Sequence, residues 1–190
     1  QTSKDENTIQ FNYFINNELI NIKYRDGKKN FKLVKGAEKI FYNIDSTIGH
    51  DYVVIVEGEI DALSFVEVGI KSVISVPNGA TINNNNLDYL DSCIDYLEGK
   101  EKIIIAVDQD EAGENLKQEL IRRLGAETCF TCDFGIYKDA NDFLLHNSSA
   151  KLNDVIKNAS PVPIENVVTL NDIDDELQEF IHEGFKPGYQ

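Results

Sequence analysis

The chain has 190 residues, 42% hydrophobic and 27% charged, which is enough for one full domain and an appendage but too little for two large enzymatic domains. These are the proportions of a soluble globular protein rather than a disordered one. No apolar run approaches the ~20 residues that cross a bilayer, and no signal-peptide pattern opens the chain. Three cysteines cannot build a disulfide framework, so a reducing, cytoplasmic setting is expected. With no methionine and Gln1 in first place, the chain reads as a piece of a longer polypeptide.

The net charge of −15 speaks against a nucleic-acid partner until its distribution is considered. Between Lys23 and Lys39 stand Lys23, Arg25, Lys28, Lys29, Lys32, Lys35 and Lys39 against only Asp26 and Glu38, a local charge of +5 on a remainder of −20. Screening cuts off distant charge beyond about 8–10 Å at physiological salt, so such a segment can still form a phosphate track. On charge alone, a lysine-decorated hairpin kept soluble by its charges is an equal alternative.

In chain order, residues 1–50 read as a small β-rich basic subdomain. Phe11 to Ile15, Leu19 to Tyr24 and Phe31 to Val34 are aromatic and β-branched runs, with Asn16-Asn17 and Asp26-Gly27 between them as turn residues. Residues 51–158 change rhythm. The apolar runs Tyr52 to Val56, Ser72 to Val76 and Lys102 to Val107 are each followed by a helical stretch, Ile60 to Val68, Leu87 to Leu97 and Ala112 to Leu124, and a fourth strand is expected at Thr128 to Cys132. Strands apolar on both faces alternating with helices predict an α/β domain with a parallel sheet of about four strands covered on both sides. Residues 159–190 read as a linker stiffened by Pro161 and Pro163, then an acidic helix with Leu170, Ile173, Leu177, Phe180 and Ile181 on one stripe.

Chemistry concentrates where the strands end. The first strand runs into Glu57-Gly58-Glu59-Ile60-Asp61 and the third into Asp108-Gln109-Asp110-Glu111. In open parallel sheets the crevice beyond the carboxyl ends of the strands is the usual ligand site. Carboxylates gathered there repel one another unless a cation neutralises them, and hard oxygen donors suit Mg²⁺ or Mn²⁺. Either cluster alone could be a set of helix N-caps; two at neighbouring strands point to a site.

Val-Ile-Val-Glu57-Gly58-Glu59-Ile-Asp61 followed by Ile-Ala-Val-Asp108-Gln-Asp110-Glu-Ala-Gly113 resembles the TOPRIM domain of bacterial-type primases, type IA and II topoisomerases and some nucleases. The spelling Glu-Gly-Glu-Ile-Asp is similar to that of phage-type primase–helicases and their Twinkle-like relatives. Ser75 to Ala80, Lys138-Asp139-Ala-Asn-Asp142 and the basic segment fit the same branch. The resemblance covers roughly residues 10 to 158 and implies a TOPRIM fold in a primase that makes RNA primers on single-stranded DNA by metal-dependent nucleotidyl transfer. It implies Glu57, Asp108 and Asp110 as metal-binding and catalytic groups, with Mg²⁺ or Mn²⁺ as cofactor. Lys138 is expected to meet the triphosphate, and Glu59 and Asp61 to add to the metal's surroundings. Asp139 would extend them, and Arg25, Lys28, Lys29 and Lys32 would contact phosphates. A hexameric helicase after residues 159–190 and the cytoplasm of a bacterium or phage-infected host belong to the same implication. Cys129, Cys132 and the remote Cys93 cannot complete a four-ligand zinc module, so the cysteines are read as buried or edge thiols. A TOPRIM phosphodiesterase and a catalytically silent module organising a helicase are the alternatives.

Overall fold

The computed structural model describes residues 8–80 and 87–164; the acidic helix expected near the C-terminus lies outside them. Three antiparallel strands open the chain, β1 (Thr8–Ile15), β2 (Glu18–Asp26) and β3 (Phe31–Leu33), in the order β1-β2-β3. Asn16 and Asn17 turn the first hairpin with φ of 50° and 66°, a left-handed conformation that asparagine tolerates better than most residues. Their backbone N–H groups are held by the Asp45 carboxylate at 3.0 and 3.4 Å. The second hairpin is wider than a two-residue turn. The Asp26 carboxylate accepts from Lys28 N, Asn30 N and Asn30 Nδ2 and closes a loop of four residues.

The second sheet holds β4 (Tyr52–Val56), β5 (Val73–Ser75), β6 (Lys102–Ile105), β7 (Cys129–Thr131) and β8 (Ser160–Pro161) in the order β5-β4-β6-β7-β8. The first four are mutually parallel and β8 is antiparallel. Among the described residues the sheet therefore has the four parallel strands expected and a fifth, antiparallel one at its edge. The extra one stands at the opening of the stretch read as linker: Pro161 is tolerated because β8 is an edge strand, where a missing donor costs nothing, and Val162 N still bonds Cys129 O at 3.0 Å.

Among the described residues five α-helices cover the sheet: α1 (Glu59–Glu67), α2 (Asp88–Cys93), α3 (Glu111–Leu124), α4 (Ala140–His146) and α5 (Ser149–Lys157). The second expected helix is α only over Asp88–Cys93 and tightens to a 3₁₀ turn at Ile94–Tyr96. Alternation along the strands divides the core. Val53, Ile55, Ile103 and Ile105 face α2 and α3 through Leu90, Leu116 and Leu120. Val54, Val56 and Ile104 face α1 and α5 through Phe65, Leu152 and Ile156. This two-sided burial explains why the strands read as unbroken apolar runs. No described helix is long and apolar enough to cross a membrane.

The two sheets share one core, because Phe11 and Tyr13 of β1 lie in the same cluster as Ile55 and Leu116. A buried ion pair fixes their relation. Lys23 Nζ of β2 donates to Glu59 Oε1 at the start of α1 at 2.7 Å, with the two side chains 8% and 2% exposed, and the Tyr13 hydroxyl donates to the same oxygen. One of the seven bases of the basic segment is thus engaged internally. A buried charge that loses its partner is costly. Glu59→Ala should therefore destabilise the fold by about 3–5 kcal/mol, and Lys23→Met combined with Glu59→Leu by clearly less. Denaturant melts of the two variants check this, and equal losses would contradict the pairing.

Candidate metal centre

The parallel pairing of β4 with β6 delivers two carboxylates to one edge. Glu57 follows β4 directly, and its Oε1 accepts from Ala80 N at 3.0 Å. Its Oε2 is buried without a hydrogen-bond partner among the described residues. Burial first, and then the Asp108 carboxylate, push the Glu57 carboxyl up to about 7. Asp61 stands in the first turn of α1 and accepts from Asn141 N at 3.0 Å. Burial, followed by the nearby Asp139 carboxylate, pushes Asp61 also up to about 7. Asp108 is raised above the ordinary aspartate value, chiefly by burial.

Asp108, Asp61 and Asp139 each place a carboxylate oxygen within 4.8 Å of the others. Asp110 stands beside this cluster. Its Oδ1 caps α3 by accepting from Gly113 N at 2.9 Å, and chiefly that bond holds its carboxyl below the usual range. Asp139 likewise caps α4 through Asp142 N at 2.7 Å, so it is both a helix cap and part of the cluster. Lys138 Nζ bridges Asp108 Oδ2 and Asp110 Oδ2 at 3.0 Å each, and these bonds raise the Lys138 ammonium above its usual value.

Three observations fit a divalent ion at this edge. The donors are all hard carboxylate oxygens, Glu57 keeps one buried oxygen without a partner, and a side-chain ammonium already neutralises part of the cluster. Asp61, Asp108 and Asp139 would hold it, with Glu57 alongside. Of the residues expected from sequence, Glu57, Asp61, Asp108, Asp110, Lys138 and Asp139 are brought together. Glu59 is not: at the position expected to add to the metal's surroundings, its Oε1 faces the N-terminal sheet and binds Lys23 and Tyr13.

The basic residues divide. Lys32 lines a cleft of about 330 Å³ that also reaches Glu57, Asp61 and Asp108. Arg25 lies with Cζ 5.8 Å from the Phe31 ring centroid, and Lys28 and Lys29 are exposed in the β2–β3 turn. Cys129 is buried in β7 and Cys132 half-buried just after it.

Two further residues shape the site. Gln109 ties the loop that carries Lys138 and Asp139 to the end of β6: its Nε2 donates to Gly135 O at 3.0 Å and to Tyr137 O at 3.2 Å, its Oε1 accepts from Phe134 N at 2.8 Å, and its backbone N–H donates to Lys138 O. Gly113 lets α3 start against the strand end, since a Cβ there would lie 2.0 Å from Asp108 O. The only sequence signal for either is its place in the acidic motif, an amide between two aspartates and a glycine inside a helix.

Residues 54–144 match a family described as Toprim-like. The chain is 33% identical over 193 residues to the chloroplastic and mitochondrial Twinkle homolog protein of Arabidopsis thaliana, covering 93% of this chain and 27% of that one. It is 35% identical over 178 residues to the primase homolog protein of the same plant, covering 85% and 53%. The chain thus spans about half or less of the length of these relatives. Among solved structures it is similar to one of bacteriophage T7 lagging-strand DNA polymerase interacting with primase domains of two gp4 subunits bound to an RNA/DNA hybrid and dTTP, with a TM-score of 0.72, 26% identity, and 83% of this chain and 81% of that chain covered.

Glu57 and Asp61 hold their protons more tightly folded than at their ordinary values of 4.5 and 3.8. The stability they contribute is therefore complete below about pH 4 and is lost as pH rises towards 7. A divalent ion binds only the ionised forms. Mg²⁺ or Mn²⁺ should raise the thermal midpoint by several degrees at pH 8 and by about 1 °C or less at pH 5. Calorimetry at the two pH values checks this; equal shifts would contradict the assignment.

Proposed function

From a chain whose residues 54–144 match the Toprim-like family, we propose that its activity is primase-type nucleotidyl transfer, making RNA primers on single-stranded DNA from nucleoside triphosphates. The observation that carries this reading is one cleft lined on one side by Glu57, Asp61 and Asp108 and on the other by Lys32 and Phe31 of the basic sheet. A phosphodiesterase needs the carboxylates, but a polymerase also needs a cationic surface facing them to hold a nucleotide and a strand. The proteins named as a Twinkle homolog and a primase homolog, together with the T7 primase domains, support the same reading.

In the reaction a primer 3′-hydroxyl attacks the α-phosphorus of the incoming nucleotide, a P–O bond forms, and pyrophosphate leaves. Asp61, Asp108 and Asp139 would hold Mg²⁺ or Mn²⁺, which would supply charge neutralisation for the transferring phosphoryl group. Glu57, with its carboxyl raised to about 7, is matched to accept the proton of the attacking hydroxyl near neutral pH. Lys138, released from Asp108 and Asp110, meets the triphosphate as a point charge. Arg25, Lys28, Lys29 and Lys32 contact strand phosphates. We place a helicase ring after this unit, in the manner of primase–helicases; the shared 27% of the Twinkle homolog leaves ample chain for one.

Incubating the full-length polypeptide with single-stranded DNA, nucleoside triphosphates and Mg²⁺ or Mn²⁺ tests the proposal. New oligoribonucleotides are expected; shortened DNA, or no product, would overturn it. Asp108→Asn should lower the product at least 100-fold while leaving the fold intact, because it removes one of several repelling carboxylates. Undiminished turnover at matched Mg²⁺ would contradict the role of Asp108.

The basic turn has its own test. Replacing Arg25, Lys28, Lys29 and Lys32 by Ala should flatten the dependence of log affinity for single-stranded DNA on log salt by roughly 0.7 for each phosphate that is no longer neutralised. An unaltered slope, measured by fluorescence anisotropy, would leave these residues as solubilising charges.

A further inference from the structure

Alternation in the N-terminal sheet points Phe11, Tyr13 and Lys23 towards the second sheet, where all three are buried. The strand register carries that same face outward. Arg25 pairs with Ile9 on one side and with Phe31 on the other. Here the covering domain ends: Phe31 is 55% and Ile9 45% exposed. An open aromatic ring on the inward face of a sheet forms a ledge over the cleft rather than part of the core.

Two cations flank the ring, Lys23 Nζ at 5.0 Å and Arg25 Cζ at 5.8 Å from its centroid, and Arg25 Nε is buried without a hydrogen-bond partner among the described residues. Phe31 lines the cleft of about 330 Å³ whose other wall holds Glu57, Asp61 and Asp108. One cavity therefore has an aromatic, cation-edged end and a carboxylate end suited to a cation carrying phosphates. A nucleoside triphosphate has the same polarity, with a flat base at one end and phosphates at the other. The volume suits a single small ligand rather than a strand.

We propose that Phe31 is the platform on which the base of the incoming nucleoside triphosphate stacks, with Arg25 holding the ring in place. The inference rests on the reading above in placing the phosphates at the carboxylate cluster. A phenyl ring recognises the face of a base rather than its edge. Selection at this ledge is therefore by stacking area, purine over pyrimidine.

The test is an equilibrium titration of the full chain with ATP and with UTP in Mg²⁺, followed by intrinsic fluorescence. ATP is expected to bind several-fold more tightly than UTP. Phe31→Leu should weaken ATP about tenfold, the scale of one base–aromatic stack, and UTP by less, drawing the two affinities together. Phe31→Tyr, which keeps the ring, should restore the ATP preference. The inference is overturned by an ATP:UTP ratio that Phe31→Leu leaves unchanged, by equal losses in the Leu and Tyr variants, or by absence of ATP binding to the unsubstituted chain. Primer synthesis is scored separately. Nucleotide binding that depends on Phe31 without primer synthesis would overturn only the proposed activity, whereas primer synthesis with binding indifferent to Phe31 would overturn only the stacking platform.

Discussion

Mutual repulsion among carboxylates at the edge of β4 and β6 is the constraint on which the rest of this structure depends. Adjacent parallel strands cannot carry acids at their carboxyl ends without bringing them together, and Glu57 and Asp108 are so placed. Asp61 and Asp139 close in from α1 and from the cap of α4. Burial strips each charged carboxylate of its water, and the neighbouring acids add to that cost, which is why Glu57, Asp61 and Asp108 are all raised. The neighbouring details keep them in place despite that cost. Gln109 ties one acidic loop to the other. Gly58 and Gly113 allow approaches that a Cβ would block, at 2.8 Å from Asp61 Oδ2 and 2.0 Å from Asp108 O. Lys138 neutralises part of the charge. A cluster maintained against its own electrostatics is poised for a cation.

The second requirement is a positive surface facing the cluster. The body of the chain is strongly acidic, so bases scattered over it would be neutralised where they stood. Gathering them on a separate sheet keeps them distinct, and the Lys23–Glu59 pair docks that sheet at the mouth of the site. The pair does this without adding to the charge of either wall, because the two ions cancel. The cleft is left with carboxylates on one side and Phe31 with Lys32 on the other.

Much of this was legible in the sequence because both signals are local. Unbroken apolar runs such as Tyr52 to Val56 mark strands buried on both faces, and acids directly after them mark the carboxyl edge. What escaped depends on direction and partnership. Glu57 and Glu59 flank the same glycine and are chemically alike, but the first ends a strand and the second begins a helix. Two residues of chain turn one carboxylate towards Ala80 and Asp108 and the other towards Lys23 and Tyr13 in the joint. Lys23 looks like any other base of its segment until Tyr13 and Glu59 are seen around it. Asp139 caps α4 and also stands in the carboxylate cluster, so one side chain can serve a helix end and still face the other acids. The strand Ser160–Pro161 is too short to carry any periodicity, and Pro161, one of the two prolines that suggested a linker, is permitted because the strand lies on an edge.

The central claim is that Asp61, Asp108 and Asp139 form a divalent-cation site now partly neutralised by Lys138. Anomalous diffraction from crystals of the protein soaked in Mn²⁺ tests it most directly. A manganese peak is expected among those three carboxylates, with the Lys138 ammonium displaced from Asp108. Manganese density elsewhere, or none while Lys138 keeps its bridge between Asp108 and Asp110, would contradict it.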